Sequence, residues 1–177
     1  MIEAILHKKE LEDRRKAKEE LKKASKKRIL GHLEATSKNF EEKILFIAEG
    51  DSAIGALTQT RDSRIHGGYA LRGKVMNTHG MKVVDVVSNR VYSELLTVTG
   101  LDIDSNKIDL EELNYGTIAI LTDADPDGDS IFCLLIQFFS QWPELFKQKR
   151  IVRVACPLYI AKKKGDAKWY YDKDAVS

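Results

Sequence analysis

The stretch Thr117-Ile-Ala-Ile-Leu-Thr-Asp-Ala-Asp-Pro-Asp-Gly-Asp-Ser-Ile131 decides how the rest of this chain is read. Its apolar run, Ile118 to Leu121, predicts a buried strand, because parallel strands covered on both faces lose their alternation. The run ends in Asp123, Asp125 and Asp127, one carboxylate at every second position. In extended backbone this spacing throws all three to the same side. Two such charges about 4 Å apart at a protein surface repel by about 4 kcal/mol, so the cluster calls for a cation. Gly128 then lets the chain turn, and Ile131 to Phe139 predicts an apolar helix. The acids therefore sit at the carboxyl end of a strand, where open α/β sheets place their ligands. The plainer alternative is a set of loop and N-cap aspartates.

A second apolar run, Ile44 to Ala48, leads into Glu49-Gly-Asp-Ser-Ala53 and a helical pattern to about Gln59. If the two strands are parallel neighbours, Glu49 faces the aspartates across the top of the sheet. Four carboxylates in one crevice suit a hard cation, and few protein ligands with room for phosphate favour Mg²⁺. A calcium-binding EF-hand also reads D-x-D-x-D-G, but its twelfth position needs glutamate and here holds Leu134. Its entering element should also be a helix rather than a strand.

The 177 residues suffice for one cored domain and an appendage, and 43% hydrophobic content argues against disorder. The net charge of +2 is unevenly spread. Lys8 to Arg28 holds eleven Lys/Arg against five Asp/Glu, a net of +6, which leaves −4 for the remainder. The basic excess thus belongs to the first 37 residues, expected to form a solvated helical arm with Glu-before-cation pairs such as Glu10/Arg14 and Glu19/Lys23. Residues 38–177 form the domain proper. The arm and the ending at Ser177 give the chain the look of a piece of something longer. No signal peptide or membrane span is legible, and a soluble protein is expected. Cys133 and Cys156 lack metal-ligand spacing and are expected to be buried thiols.

Arg61 to Lys74 is basic and glycine-bearing, suited to a phosphodiester beside the metal or to an ordinary solvated loop. His66 and His79 are expected at the surface. Met81 to Leu101 carries its apolar residues at mostly helical spacing. Ile151–Cys156, Leu158–Lys162 and Lys168–Tyr171 read as strands, the last two a hairpin about Lys164-Gly-Asp166.

Three motifs in order, Glu49-Gly-Asp-Ser-Ala53, Leu71-Arg-Gly-Lys-Val-Met-Asn77 and Thr122-Asp-Ala-Asp-Pro-Asp-Gly128, resemble the Toprim domain of type IIA DNA topoisomerases, the gyrase B and topoisomerase II kind. The tail from Phe138 through Tyr159 extends the likeness to roughly residues 43–172, closest to the T-even-like phage enzymes. The resemblance implies a Rossmann-like α/β fold: a central, mainly parallel sheet flanked by helices, with the charged N-terminal helix and a C-terminal hairpin extension. It implies that Glu49 binds the catalytic metal and serves as general acid/base. It makes Asp123 the ligand shared between two Mg²⁺ positions, completed by Asp125 and supported by Asp127. Arg72, Lys74 and Asn77 match positions near the cleaved DNA, Lys74 among the catalytic set. Ala70 and Ser130 depart from the family, where proline and histidine are common.

The family's isomerase reaction attacks double-stranded DNA with a tyrosine carried on a winged-helix domain. No residue here has the surroundings of that nucleophile. No ATP-binding motif is visible either; the resemblance implies that ATP is handled by a separate ATPase domain of the parent. The expectation is half an active site: alone, the chain binds metal weakly and cuts nothing. The implied setting is the cytoplasm of a bacterium or phage-infected cell, or a eukaryotic nucleus. The rival readings are a primase or nuclease Toprim domain, a non-catalytic DNA-binding or assembly module, and an Asp-x-Asp phosphotransferase.

Overall fold

A computed structural model describes residues 2–25, 29–72, 75–103, 108, 112–163 and 165–171. The described residues form a five-stranded sheet in the order β1-β3-β2-β4-β5, with a separate two-stranded hairpin. At its centre lie β2 (Ile44–Ala48) and β4 (Thr117–Leu121), the two apolar runs of the sequence. They pair in parallel, Ile44 opposite Thr117 and Ala48 opposite Leu121. On the other side of β2 runs β3 (His66–Ala70), also parallel, and β5 (Ile151–Arg153) is parallel to β4. The two-residue β1 (His32–Leu33) closes the β3 edge antiparallel.

The chain leaves β2 through α2 (Gly50–Thr60) to reach β3 on one side. It then returns through α3 (Val83–Ser88) and α4 (Arg90–Thr99) to β4 on the other. The direction of winding therefore reverses between β2 and β4, and a reversal of this kind opens a crevice at the carboxyl ends of the strands.

β3 departs from the loop expected over Arg61 to Lys74. Its two glycines are close-approach positions. A Cβ on Gly67 would lie 2.4 Å from the Tyr115 hydroxyl, and one on Gly68 would lie 2.9 Å from Cδ2 of Leu57 in α2. The strand gives up side chains so that a tyrosine and a helix can press on it from neighbouring elements. His66 is correspondingly half-buried, edge-on to Phe46 with ring centroids 5.3 Å apart, and not a free surface residue.

The helical spacing of Met81 to Leu101 resolves into two helices because Asn89 caps the second, accepting from the amides of Val91 and Tyr92. Gly100 ends α4 in left-handed backbone, φ 80°. The apolar helix is α5 (Pro126–Phe139), which buries Leu135, Phe138 and Phe139. Phe138 stacks on Tyr92 at 4.5 Å and meets Trp142 at 5.5 Å, ahead of the short α6 (Pro143–Lys147). Cys133 is exposed and Cys156 half-buried, correcting the expectation of two buried thiols. Residue 133 lies two positions, some 200° of helix, from the buried Leu135.

The charged helix α1 (Ile2–Ser25) is shorter than the expected 37 residues, and His32–Leu33 already runs in the sheet. It also has a face: Ala17 is fully buried, Leu21 packs beside it, and the helix lies on α3 and α4. A stripe one small residue wide escapes a periodicity reading but is enough to seat a helix. Lys18 Nζ reaches Asp102 Oδ2 at 3.3 Å from the same side. The hairpin, β6 (Tyr159–Lys163) and β7 (Asp166–Tyr170), turns at Gly165, φ 96°, as its sequence predicts. No described helix is long and apolar enough to cross a membrane.

Candidate metal and DNA site

The acids are placed by strand register. Ala48 and Leu121 end β2 and β4 level with one another, and the amide of Glu49 donates to the Leu121 carbonyl at 3.3 Å. Glu49 and Asp123 thus emerge from adjacent strands into the same crevice. Backbone choice then aims the first acid: Glu49 is extended (φ −76°, ψ 97°), and Gly50 turns into α2 with φ 80°, a conformation glycine adopts without strain.

Glu49 is half-buried, and its Oε2 is shut from solvent with no hydrogen-bond partner. Burial, foremost, pushes its pKa above the ordinary glutamate range; the charges of Asp123, Asp125 and Asp127 push the same way, against a backbone amide of Asp123. Thr122, 3% exposed, also leaves its hydroxyl oxygen unpartnered at the end of β4. Two unpartnered buried oxygens at one sheet top call for a positive charge or a donor, since burying such groups unpaired is costly.

Asp125 also serves as N-cap of α5, its Oδ1 accepting from the Gly128 amide at 2.7 Å, with Pro126 at the first helical position. The N-cap alternative therefore holds for one of its oxygens. Asp123 and Asp127 are exposed at the crevice. Among the described residues no three or more His, Cys, Asp or Glu gather closely enough to hold a metal by themselves. Mg²⁺ commonly takes one or two carboxylates and completes its shell with water and substrate phosphate. The donors present, carboxylate oxygens with one buried and unsatisfied, fit the ion.

Arg72 follows β3, and its guanidinium holds Asp51 in the first turn of α2, Nε at 2.8 Å and Nη2 at 2.7 Å from Oδ1. Asn77 is exposed, its Oδ1 accepting from the His79 amide at 2.9 Å. Lys74 lies outside the described residues.

Sequence reading missed what steadies the Asn77 loop. Buried Thr78 donates through its amide and its hydroxyl to Oε1 of Gln137, both at 2.8 Å, tying the loop to α5. The polar Gln137 inside an apolar helix pattern was the available signal. Gln137→Leu leaves the Thr78 amide buried without its acceptor and is expected to cost about 1–3 kcal/mol, read by urea unfolding. An unchanged midpoint would show the tie to be dispensable. The Tyr92 hydroxyl meets the same loop, accepting from the Met76 amide at 3.1 Å, and burial pushes its pKa up to about 12. Tyr115 is likewise pushed up to about 12 by burial, and Tyr69 is raised further by burial and by its bond to Glu94. Buried phenols so disinclined to ionise are poor nucleophiles.

Fold and site together define an α/β domain that presents carboxylates, with Arg72 near them, at the switch point of a mostly parallel sheet. The chain belongs to the Toprim domain family, whose model matches residues 44–156. It is 39% identical over 127 residues to the DNA gyrase B protein of Rickettsia felis, covering 71% of this chain and 16% of that one. To the DNA topoisomerase 4 B protein of Bacillus subtilis it is 34% identical over 160 residues, covering 87% and 24%. The DNA-binding, cleavage and re-ligation domain of Plasmodium falciparum topoisomerase II superposes with a TM-score of 0.74 at 28% identity, over 85% of this chain and 22% of that one. The chain thus spans roughly a sixth to a quarter of these relatives. The narrower likeness to T-even phage enzymes is not carried by these matches.

Proposed function

We propose that this chain supplies the acidic, Mg²⁺-binding half of the DNA cleavage and religation site of a type II topoisomerase. The observation that carries the reading is the level ending of β2 and β4, which sets the buried, unpartnered Oε2 of Glu49 beside Asp123. Glu49 and Asp123, with Asp125 and Asp127, would hold one or two Mg²⁺. When bound, the ion supplies charge stabilisation at the scissile phosphate and the leaving 3′ oxygen.

The chain's own residues do the rest. Glu49, whose proton affinity is raised by burial and by the neighbouring aspartates, is placed to serve as general acid toward the departing oxygen. Arg72, Lys74 and Asn77 fix the DNA backbone beside the acids. The attacking tyrosine comes from a winged-helix domain or subunit, and ATP is bound by a separate domain of the parent, acting on double-stranded DNA. The working place is the cytoplasm of a bacterium or phage-infected cell, and the tail keeps T-even-like phage enzymes the expected kin.

The test is a Mn²⁺ titration of the ¹⁵N-labelled chain. Amides around Glu49, Asp123, Asp125 and Asp127 are expected to broaden together, and the chain alone to leave DNA uncut. Broadening of the two stretches at unrelated concentrations, or metal-dependent cutting by the purified chain, would overturn the reading.

A further inference from the structure

Arg72 is occupied. Both contacting nitrogens, Nε and Nη2, converge on one oxygen of Asp51, whose side chain is 67% exposed while that of Arg72 is 30% exposed. A guanidinium is a planar fork suited to two acceptor oxygens, and two contacts on a single oxygen leave that geometry half used. The guanidinium lies against Gly31, which turns with φ +82° between α1 and β1. A Cβ there would lie 2.9 Å from Cζ and Nη2 of Arg72. Arg72 is therefore packed against a glycine turn along the same edge that meets an exposed carboxylate. Asp51 lies two residues beyond Glu49, and Arg72 two beyond Ala70, at the carboxyl ends of the neighbouring parallel strands β2 and β3. The pair thus borders the acid crevice.

We propose that Asp51 is an internal competitor of DNA phosphate for Arg72: it parks the guanidinium in position while DNA is absent and yields it to a phosphodiester when the backbone arrives. A phosphate offers two oxygens to the fork where Asp51 uses one. The exchange keeps a partly desolvated cation paired throughout and makes DNA displace a carboxylate before it gains the arginine. The inference rests on Arg72 facing DNA in the proposed function and adds the group that opposes it.

The experiment is fluorescence anisotropy of a labelled DNA duplex at low salt with the full chain. The variants are Asp51→Asn, Asp51→Ser, Arg72→Ala and Asp51→Asn/Arg72→Ala, with Asp85→Asn on α3 as a control of equal charge change. Both Asp51 variants are expected to bind about two- to fivefold tighter, the worth of releasing one exposed ion pair. The gain should vanish in the Arg72→Ala background and be absent from Asp85→Asn. The proposal is overturned if the Asp51 variants bind no tighter, including the case where neither they nor the parent binds. A gain that survives without Arg72, or is matched by Asp85→Asn, overturns it too. If Arg72→Ala weakens binding while Asp51→Asn does not strengthen it, the competition alone falls. If Arg72→Ala changes nothing in either background, the assignment of Arg72 to DNA falls with it.

Discussion

Glu49→Gln is expected to make the metal-free protein more stable at neutral pH and to abolish its stabilisation by Mg²⁺. The sign follows from the carboxyl's surroundings. Burial and the three aspartates raise its folded pKa above the ordinary value of 4.5 that it keeps when unfolded. Below the unfolded pKa both states hold the proton and Glu49 costs nothing. As pH rises through the folded pKa, the folded state must carry the carboxylate, and its cost becomes full. The stability of the parent relative to Glu49→Gln should therefore fall as pH rises from the acid range, then level off. Cation binding reverses the balance, since a ligand at ten times its Kd adds about 1.4 kcal/mol to the state that binds it. Thermal unfolding from acid to neutral pH, with and without Mg²⁺, reads both effects. Equal Mg²⁺ stabilisation of parent and variant would remove Glu49 from the site.

Gly128→Ala should destabilise the domain even though alanine is the better helix former by about 1 kcal/mol. A Cβ at this position would lie 2.2 Å from the carbonyl oxygen of Asp123 and 3.0 Å from its backbone nitrogen and carbonyl carbon. These are backbone atoms that cannot swing aside, and overpacking of this kind costs about 1–3 kcal/mol. The first turn of α5 must back away, breaking the Asp125 cap on the Gly128 amide and moving Asp123. We expect a lower urea midpoint, a larger drop for Gly128→Val, and loss of Mn²⁺ broadening at Asp123 before loss of the fold. A midpoint at or above the parent's would show that α5 shifts freely and does not fix Asp123.

Much of this was legible in the sequence because the informative features are local. Two apolar runs ending in acids gave the strands and the end of the sheet at which the carboxylates lie, whereas the Asn89 cap that splits Met81–Leu101 into two helices went unread. What else escaped depends on contacts between distant residues. Gly67 and Gly68 fit a solvated loop until Tyr115 and Leu57 are known to lie against them. Ala17 is too small to declare a face until α3 and α4 lie beneath it. Thr78 and Gln137 are 59 positions apart, and Asp51 and Arg72 are 21 apart, joined only because β2 and β3 run side by side.

The sheet has a further consequence at its margins. Its two outer strands have two residues, His32–Leu33, and three, Ile151–Arg153. Strands so short expose few unpaired amides and carbonyls to a passing neighbour, and Arg153 adds a charge at one of them. The long, apolar, aggregation-prone segments are confined to the middle, where both sides are already paired. Such a sheet can persist in solution without recruiting copies of itself into fibres.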